Sequence, residues 1–306
     1  MAGNINWYPG HMKKTRELIQ ENLKMVDAVV EVIDARIPVS SRNPIIDELV
    51  KGKPRIIALN KSDLGDGEAN RAWIDAFAKA EDTVRAIPMN SMTGEGTKEL
   101  LRVLETLDSR RRGNAAMKPY RLMIVGVPNV GKSSLINRMT GHKSAKTGDR
   151  PGVTRGKQWL KLENGMQLLD TPGILWPKFE DPRAGLNLAF CGSIKDEILD
   201  IPTLGMELVA VLTERYPEML VKRYKLEGLC MEGEESPETG WPMETPQDLA
   251  LGNLCRMALK RGCILPGKRI DYERIGKLVL DEFRSAKIGR ITLEWPEQQE
   301  QQEQTQ

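Results

Sequence analysis

The sequence is poor in histidine, cysteine and aromatic residues, and it has no long apolar run. Its 306 residues include 2 His, 4 Cys and 5% aromatic residues. The cysteines are scattered and form no CxxC pair, which argues against a disulfide framework and a structural zinc site and fits a reducing cytosol. No apolar run nears the roughly 18 residues that would span a bilayer, and the N-terminus lacks the apolar core of a secretory signal. We therefore expect a cytoplasmic protein with no membrane partner.

Charge is nearly balanced over the whole chain but not along it. The 45 Lys and Arg residues oppose 43 Asp and Glu residues, for a net charge of +2. Between Ser109 and Lys161, however, 13 basic residues accompany a single acidic residue, Asp149, so this segment carries a net charge of +12. A solvated charged face is the commonest meaning of such a run, but few local ion pairs can form here. The local excess favours a polyanionic partner, which we expect to be RNA and not DNA.

Strands and helices alternate over the first part of the chain, and helices alone follow. Apolar, β-branched runs predict strands at 28–33, 54–59, 83–88 and 120–125, then a β-pair at 158–162 and 166–169. We predict an α/β domain with a mainly parallel sheet over residues 1–178. An all-helical domain follows over 179–290, with helices at 204–216, 249–260 and 272–286. Residues 291–306 are polar and rich in Gln and Glu, which predicts a disordered tail.

A phosphate-binding motif follows the fourth predicted strand. Residues 126–133 read GVPNVGKS, which matches GxxxxGK followed by Ser or Thr, and the motif opens a predicted helix. Backbone N–H groups of such a loop and the helix N-terminus cradle phosphates, the lysine reaches the β- and γ-phosphates, and the serine binds Mg²⁺. A fortuitous glycine turn is the alternative. The residues assigned to this loop are Asn129, Val130, Gly131, Lys132, Ser133 and Ser134.

Two further loops have the composition of a guanine site. Asn60-Lys61-Ser62-Asp63 follows the second predicted strand. The Asp63 carboxylate can accept two hydrogen bonds from guanine, whereas adenine would leave it buried and unpaired. Asn60 can hold the base edge and the loop, and the Lys61 stem can stack on the base. Asn90 and Ser91, in NSMTG after the third strand, predict the loop whose backbone packs against guanine. A polar turn is the alternative for each loop taken alone.

The last two elements are those that respond to the γ-phosphate. Asp170-Thr-Pro-Gly173 follows the last predicted strand and fits DxxG, in which Asp170 binds Mg²⁺ through water and the Gly173 N–H senses the γ-phosphate. Thr154, in a Gly-rich basic stretch, is the predicted switch threonine that completes the Mg²⁺ site with Ser133. An ordinary loop threonine is the alternative at position 154.

The order of these motifs predicts a circularly permuted P-loop GTPase domain of the Ras-like type. NKxD and the base loop normally follow the P-loop and the switches, but here they come first. A sheet tolerates such a rearrangement when its old termini lie close together and the new break is exposed. The γ-phosphate-sensing loop then leads directly into the helical domain. Hence a conformational change caused by the γ-phosphate can be transmitted to that domain over a short length of chain.

The chain resembles the YlqF/RbgA group of circularly permuted GTPases. The resemblance rests on the permuted order, on WYPGHM at 7–12, on DAR at 34–36 and on GVPNVGKSS at 126–134, and it covers about residues 5–290. It implies a cytoplasmic GTPase that binds GTP/GDP and Mg²⁺ and promotes a late step in assembly of the large (50S) ribosomal subunit. It also implies partners in rRNA and ribosomal proteins. A monomer is the default expectation, and Arg36 is expected in a structural salt bridge.

The catalytic group remains open at this stage. Ile174 stands after Gly173, where Ras-like enzymes carry a water-orienting Gln, so intrinsic turnover should be slow. One substitute is a K⁺ ion held by Asn129, as in related GTPases that lack the Gln; an asparagine that caps its own turn is the alternative. The other substitute is His11, whose resemblance-based role is catalytic, although an RNA contact or a helix cap fits it as well. Lys132, Thr154 and Gly173 complete the catalytic set.

Two rival functions remain compatible with the sequence. One is a GTP-dependent RNA-binding scaffold in which hydrolysis is incidental, a possibility kept open by Ile174. The other is a GTPase that serves the small subunit or tRNA modification. A P-loop kinase or ATPase is disfavoured by the NKSD loop.

Overall fold

The protein, represented by a computed structural model, divides into two compact units. The structure describes residues 17, 19–50, 52–80, 83–112, 118–141, 158–170 and 181–296. The first unit runs to Leu188 and includes the segment from Glu294 onward, and the second runs from Ala189 to Leu293. The sequence-based division at 178/179 stays a prediction. The predicted disordered tail starts too early at 291, because Ile291, Thr292 and Leu293 are buried and Glu294 is hydrogen-bonded; its part beyond 296 lies outside the described residues.

The first unit is built on a six-stranded sheet with the order β3-β2-β1-β4-β6-β5. The strands are β1 (Ala28–Asp34), β2 (Arg55–Asn60), β3 (Thr83–Met89), β4 (Arg121–Val125), β5 (Gln158–Lys161) and β6 (Gln167–Asp170). All neighbours are parallel except β5 and β6, which pair antiparallel. Strands β1 and β2 are buried along their whole length, as their continuous apolar runs predict. Pro88 is accommodated because β3 is an edge strand.

Helices cover this sheet. Helical residues 19–23 pack on β1 and β4 through Ile19 and Leu23. The further helices are α1 (Pro44–Leu49), α2 (Gly67–Ala78), α3 (Thr97–Arg112) and α4 (Lys132–Thr140), and α5 (Pro182–Phe190) spans the boundary between the two units. Helix α2 begins where the Asp66 carboxylate accepts hydrogen bonds from the backbone N–H groups of Glu68 and Ala69. Its apolar face buries Trp73 and Phe77 in a core with residues of β1 and β2. The helix packs on the sheet through that face.

The second unit is helical. Its elements are a 3₁₀ turn at Asp196–Ile198 and the helices α6 (Ile201–Arg215), α7 (Pro217–Tyr224), α8 (Pro246–Arg261) and α9 (Tyr272–Arg284). Helices α6 and α9 approach closely at a pair of glycines. A Cβ on Gly205 would lie only 2.5 Å from the Cα of Gly276, so a larger residue would not fit at this contact. Helix α8 begins with a capping box between Thr245 and Asp248. In the described part of the chain, no helix is long and apolar enough to cross a membrane.

The permuted topology is confirmed. In the first unit, NKSD follows β2, the NSMTG loop follows β3, the phosphate loop follows β4, and β6 ends at the first residue of DTPG. Strands β1, β2, β3, β4 and β6 run parallel, so their carboxyl ends lie along one edge of the sheet. The α/β domain with a mainly parallel sheet and the helical C-terminal region are as predicted.

Candidate functional site

Asn60 joins three of the predicted nucleotide-binding loops. Its side-chain amide donates to the Val130 carbonyl in the phosphate loop at 2.6 Å. Its side-chain carbonyl oxygen accepts from the Ser91 backbone N–H at 2.9 Å and from the Ser91 hydroxyl at 2.8 Å. All three residues are buried. Asn60 therefore joins the predicted base-recognition loops to the phosphate loop. Asn60 and Val130 are 70 residues apart in the sequence, and they meet because only β1 lies between β2 and β4 in the sheet.

The phosphate loop has the backbone conformation of an anion-binding nest. The φ angle is +61° at Asn129 and +102° at Gly131, both in the left-handed region. Left-handed residues within such a turn direct successive backbone N–H groups into one concavity. A Cβ on Gly131 would lie 2.2 Å from the Asn60 side-chain nitrogen. Glycine at 131 is therefore required both by its φ angle and by the approach of Asn60.

Lys132 lies across this loop. Its ammonium donates to the Val127 carbonyl at 2.7 Å, and the residue is 8% exposed. Lys132 is also the first residue of α4, so a positive side chain and a helix N-terminus meet at one place. The loop packs on β1 through Gly126, where a Cβ would lie 2.4 Å from the Val32 carbonyl oxygen. The backbone N–H groups, the Lys132 ammonium and the helix N-terminus are the kinds of group that bind an oligophosphate.

The NSMTG loop is shaped by Asn90 and held by Arg138. The Asn90 carbonyl oxygen of the side chain accepts from the backbone N–H groups of Met92 and Thr93 at 2.9 and 3.2 Å, which makes an Asx turn. The Arg138 guanidinium, from α4, donates to the Met92 carbonyl and lies against Gly94. Sequence reasoning missed Arg138, because no motif marks a helix residue that reaches a loop 46 positions away.

The NKSD loop is held from below by a second set of contacts. The Ser62 backbone N–H and hydroxyl both donate to the Met89 carbonyl at 3.0 Å. The Asp63 side chain is exposed, so it is open to the base that the sequence predicts it to bind. Lys61 has a left-handed φ of +58°, and its ammonium lies 2.9 Å from an Asp34 carboxylate oxygen.

Asp34 and Arg36 form a buried pair beneath that lysine. Both side chains are 1% exposed, and Arg36 donates from Nε and Nη2 to the two Asp34 oxygens at 2.9 and 2.7 Å. Burial opposes ionisation of Asp34, but the charges and hydrogen bonds of Arg36 and Lys61 outweigh it and hold the pKa of Asp34 well below its usual value. Arg36 makes the salt bridge that its residue type suggests. The contact from Asp34 to Lys61 was missed, since it depends on which strand lies beside β2.

Some of the remaining predicted site residues lie outside the described residues. His11, Thr154 and Gly173 lie outside the described residues. Asp170 is the last residue of β6, and only its backbone is described. Ser133 and Ser134 occupy the first turn of α4 and are half-buried. Within the described ranges no cluster of three or more His, Cys, Asp or Glu side chains assembles a metal cage.

Comparison with known proteins identifies the family. Residues 121–217 match the family described as 50S ribosome-binding GTPase. The chain is 43% identical to ribosome biogenesis GTPase A of Priestia megaterium over 97% of its own length and 99% of the relative's. It is 42% identical to the protein of that name from Bacillus cereus, over 96% of this chain and 95% of the relative. This protein belongs to the ribosome biogenesis GTPase A (YlqF/RbgA) family.

Other relatives and solved structures agree with this membership. A mouse protein named mitochondrial ribosome-associated GTPase 1 is 38% identical over 94% of this chain and 89% of its own. GNP-bound YlqF from T. maritima is 30% identical, covers 93% of this chain and 99% of its own, and superposes with a TM-score of 0.60. A GDP-bound YlqF structure gives 0.61 over 92% of this chain and 99% of its own. The YlqF/RbgA resemblance read from the motifs is thus confirmed.

Proposed function

We propose that this ribosome biogenesis GTPase binds the maturing large (50S) ribosomal subunit and uses GTP hydrolysis to promote a late step of its assembly. The observation that carries the proposal is that Asn60 joins the three loops predicted to bind guanine nucleotide, in a chain of the YlqF/RbgA family. A ribosomal subunit is the partner that the family descriptions name. Contacts with rRNA are supported by the net charge of +12 between Ser109 and Lys161, and contacts with ribosomal proteins by the resemblance. A cytoplasmic monomer remains our expectation.

Each part of the site has a proposed role in converting GTP and water into GDP and phosphate. Asp63 pairs with the guanine edge, the Lys61 stem lies on the base, and the backbone of the loop at Asn90 and Ser91 packs beside it. Lys132 and the N–H groups of the phosphate loop hold the phosphates. Ser133, Thr154 and Asp170 would hold Mg²⁺, which supplies neutralising charge at the β- and γ-phosphate oxygens. Gly173 and Thr154 report the presence of the γ-phosphate.

The group that assists the attacking water is proposed to come from a K⁺ ion at Asn129 or from His11. Asn129 has a left-handed φ of +61°, a conformation for which asparagine is chosen even where it binds no ion. An Asn129→Gly variant keeps that backbone conformation and removes the side chain, so it separates the two roles. If Asn129 holds K⁺, this variant loses the rate advantage of K⁺ over Na⁺ buffer; if the residue serves only its turn, the advantage persists.

GTP turnover by the purified protein in K⁺ buffer, with and without purified large subunits, tests the proposal. We expect a slow basal rate that large subunits raise at least about tenfold and small subunits do not. His11→Ala should remove the stimulation if His11 orients water, and His142→Ala, at the other histidine of the chain, is the matched control. Excess ATP should not compete.

The second candidate function is a GTP-dependent RNA-binding scaffold, which the apolar Ile174 after Gly173 favours. A rate that large subunits leave unchanged, together with retained GTP binding, would favour the scaffold over the switch. Stimulation by small subunits would instead direct attention to a small-subunit step, and stimulation by tRNA to a tRNA-modification step.

A further inference from the structure

A buried ion pair, Asp34 and Arg36, lies directly beneath the predicted guanine-recognition loop and contacts its Lys61. Strand β1 lies between β2 and β4, and its last residue, Asp34, stands opposite Asn60 in the parallel register. The Ala35 backbone N–H donates to the Asn60 backbone carbonyl at 2.8 Å. The end of β1 is thus locked to the start of the NKSD loop, so that a side chain on β1 can act on that loop.

Asp34 is held by Arg36 at its carboxylate and by Ser41 at its backbone. Arg36 donates to it from the backbone N–H at 3.1 Å, from Nε at 2.9 Å and from Nη2 at 2.7 Å. The Asp34 backbone N–H donates to the Ser41 hydroxyl at 2.9 Å. Since Arg36 is almost completely buried, its guanidinium fork keeps one orientation, and the carboxylate it clamps keeps one position.

One oxygen of this clamped carboxylate receives the Lys61 ammonium at 2.9 Å. The Lys61 side chain is 23% exposed, so part of it reaches solvent although its ammonium is held by Asp34. A lysine side chain in solution samples many rotamers, and ordering it on a ligand opposes binding. A lysine tethered at its tip has lost that freedom before nucleotide arrives.

We propose that Asp34 and Arg36 are positioning residues for guanine-nucleotide binding: Arg36 fixes the Asp34 carboxylate, and Asp34 tethers the Lys61 ammonium so that the alkyl stem is preorganised to lie on the base. The inference rests on the proposed function of the NKSD loop. It adds two residues of β1, outside the NKSD and phosphate loops, to the determinants of nucleotide affinity.

A double-mutant cycle tests the tether. Lys61→Met keeps most of the stem but has no ammonium for Asp34 to hold. Affinity and dissociation rate for a fluorescent GDP are measured for the parent protein, Asp34→Asn, Lys61→Met and the double variant. We expect Asp34→Asn to weaken binding about tenfold in the parent and less than about twofold in the Lys61→Met background. Equal losses in both backgrounds would mean that the effect of Asp34 on affinity does not pass through Lys61 and would overturn the proposal.

Strand β1 supplies a matched control. Glu31 is also a 1%-exposed carboxylate on β1, and its partners are Arg55 at 3.3 Å and Arg42 at 3.7 Å. Glu31→Gln should lower thermal stability yet leave GDP affinity unchanged, because Glu31 has no contact with Lys61 in the described geometry. A tenfold loss of affinity in Glu31→Gln would show that any buried charge on β1 has the same effect, and it would also overturn the proposal.

Arg36→Lys keeps the experiment decisive if Asp34→Asn does not fold. It retains the positive charge and removes the fork, so Asp34 stays ionised but is less firmly held. We expect a loss of GDP affinity of about threefold in the parent and none in the Lys61→Met background, whereas equal losses would again overturn the tether. A parent protein that binds no guanine nucleotide would instead refute the proposed function itself.

Discussion

At the scale of single residues, the phosphate loop depends on the absence of one carbon atom. Gly131 lies where a Cβ would overlap the amide of Asn60, and Asn60 in turn holds Val130 and Ser91. The close approach lets one side chain connect the base and phosphate loops. Gly131 has no functional group, but its lack of a Cβ allows Asn60 to approach the loop.

Gly131→Ala should abolish tight nucleotide binding. The new methyl group must displace Asn60 and also takes a φ of +102°, which alanine rarely adopts. Gly165→Ala is the matched control, since Gly165 has a φ of +84° but nothing lies within 4 Å of its added Cβ. We expect both variants to lose about 1 kcal/mol of stability from backbone strain, and Gly131→Ala to lose more because it displaces the buried Asn60. Only Gly131→Ala should lose GDP affinity in titration calorimetry. Similar GDP affinities in the two variants would contradict this explanation.

At the scale of elements, two glutamates, the buried Glu282 and the half-buried Glu294, lie in opposite electrostatic settings. In the second unit, Glu282 of α9 accepts from Arg223 of α7 at 2.6 and 2.9 Å. In the first unit, Glu294 accepts from the backbone N–H of Val39 at 2.6 Å and from the Asn187 amide at 2.9 Å, without any cation among these contacts. One carboxylate is paired with positive charge and the other only with neutral donors.

This difference sets the direction of each pKa. Burial opposes ionisation of Glu282, but hydrogen bonds from Arg223 and the nearby positive charges outweigh it and lower its pKa. Burial raises the pKa of Glu294, and its neutral hydrogen bonds only partly offset that effect. Relative to the ordinary value of 4.5, Glu282 stabilises the fold above that pH and loses this contribution as the pH falls. Glu294 contributes most at low pH and loses its contribution as the pH rises through its raised pKa.

Glu282→Gln and Glu294→Gln should therefore change the pH dependence of unfolding in opposite directions. We expect the stability lost in Glu282→Gln to grow as the pH rises from about 3 to 5. For Glu294→Gln, the loss relative to the parent protein should shrink as the pH rises above 4.5. Urea unfolding at a series of pH values measures both, with each variant serving as the control for the other. Parallel profiles for the two variants would contradict the assignment of the two settings.

At the scale of the whole molecule, two compact units share one chain, and the predicted nucleotide loops belong to the first. A ligand that binds only the native state stabilises it by about 2.7 kcal/mol at 100 times its Kd. We expect GDP at that excess to raise the melting temperature of the calorimetric transition that contains the phosphate loop. ATP at the same concentration is the control, since the NKSD loop should exclude adenine. An equal shift with ATP would contradict the guanine specificity assigned to Asp63.

Local pattern was sufficient to predict much of this architecture. The buried runs at 28–33 and 54–59 became β1 and β2, and the Asn-Gly turn at 164–165 joined β5 to β6 as expected. The order of motifs identified the permutation, because each motif carries its own chemistry wherever it stands in the chain. The roles assigned to His11, Thr154 and Gly173 stay predictions, since those residues lie outside the described part of the chain.

What the sequence determined by itself was the set of loops: glycine positions, cap residues and short polar motifs whose backbone conformation and hydrogen-bonding capacity are local properties. Only the tertiary structure decided how the loops are joined. The contacts of Asn60 with Val130, Asp34 with Lys61, Arg138 with Met92 and Glu294 with Val39 join residues 27 to 255 positions apart. The first two contacts exist because parallel strands bring distant segments to one edge of a sheet, and the order of those strands is set by packing of the whole unit. The last two exist because a helix and the segment from Glu294 pack on that unit.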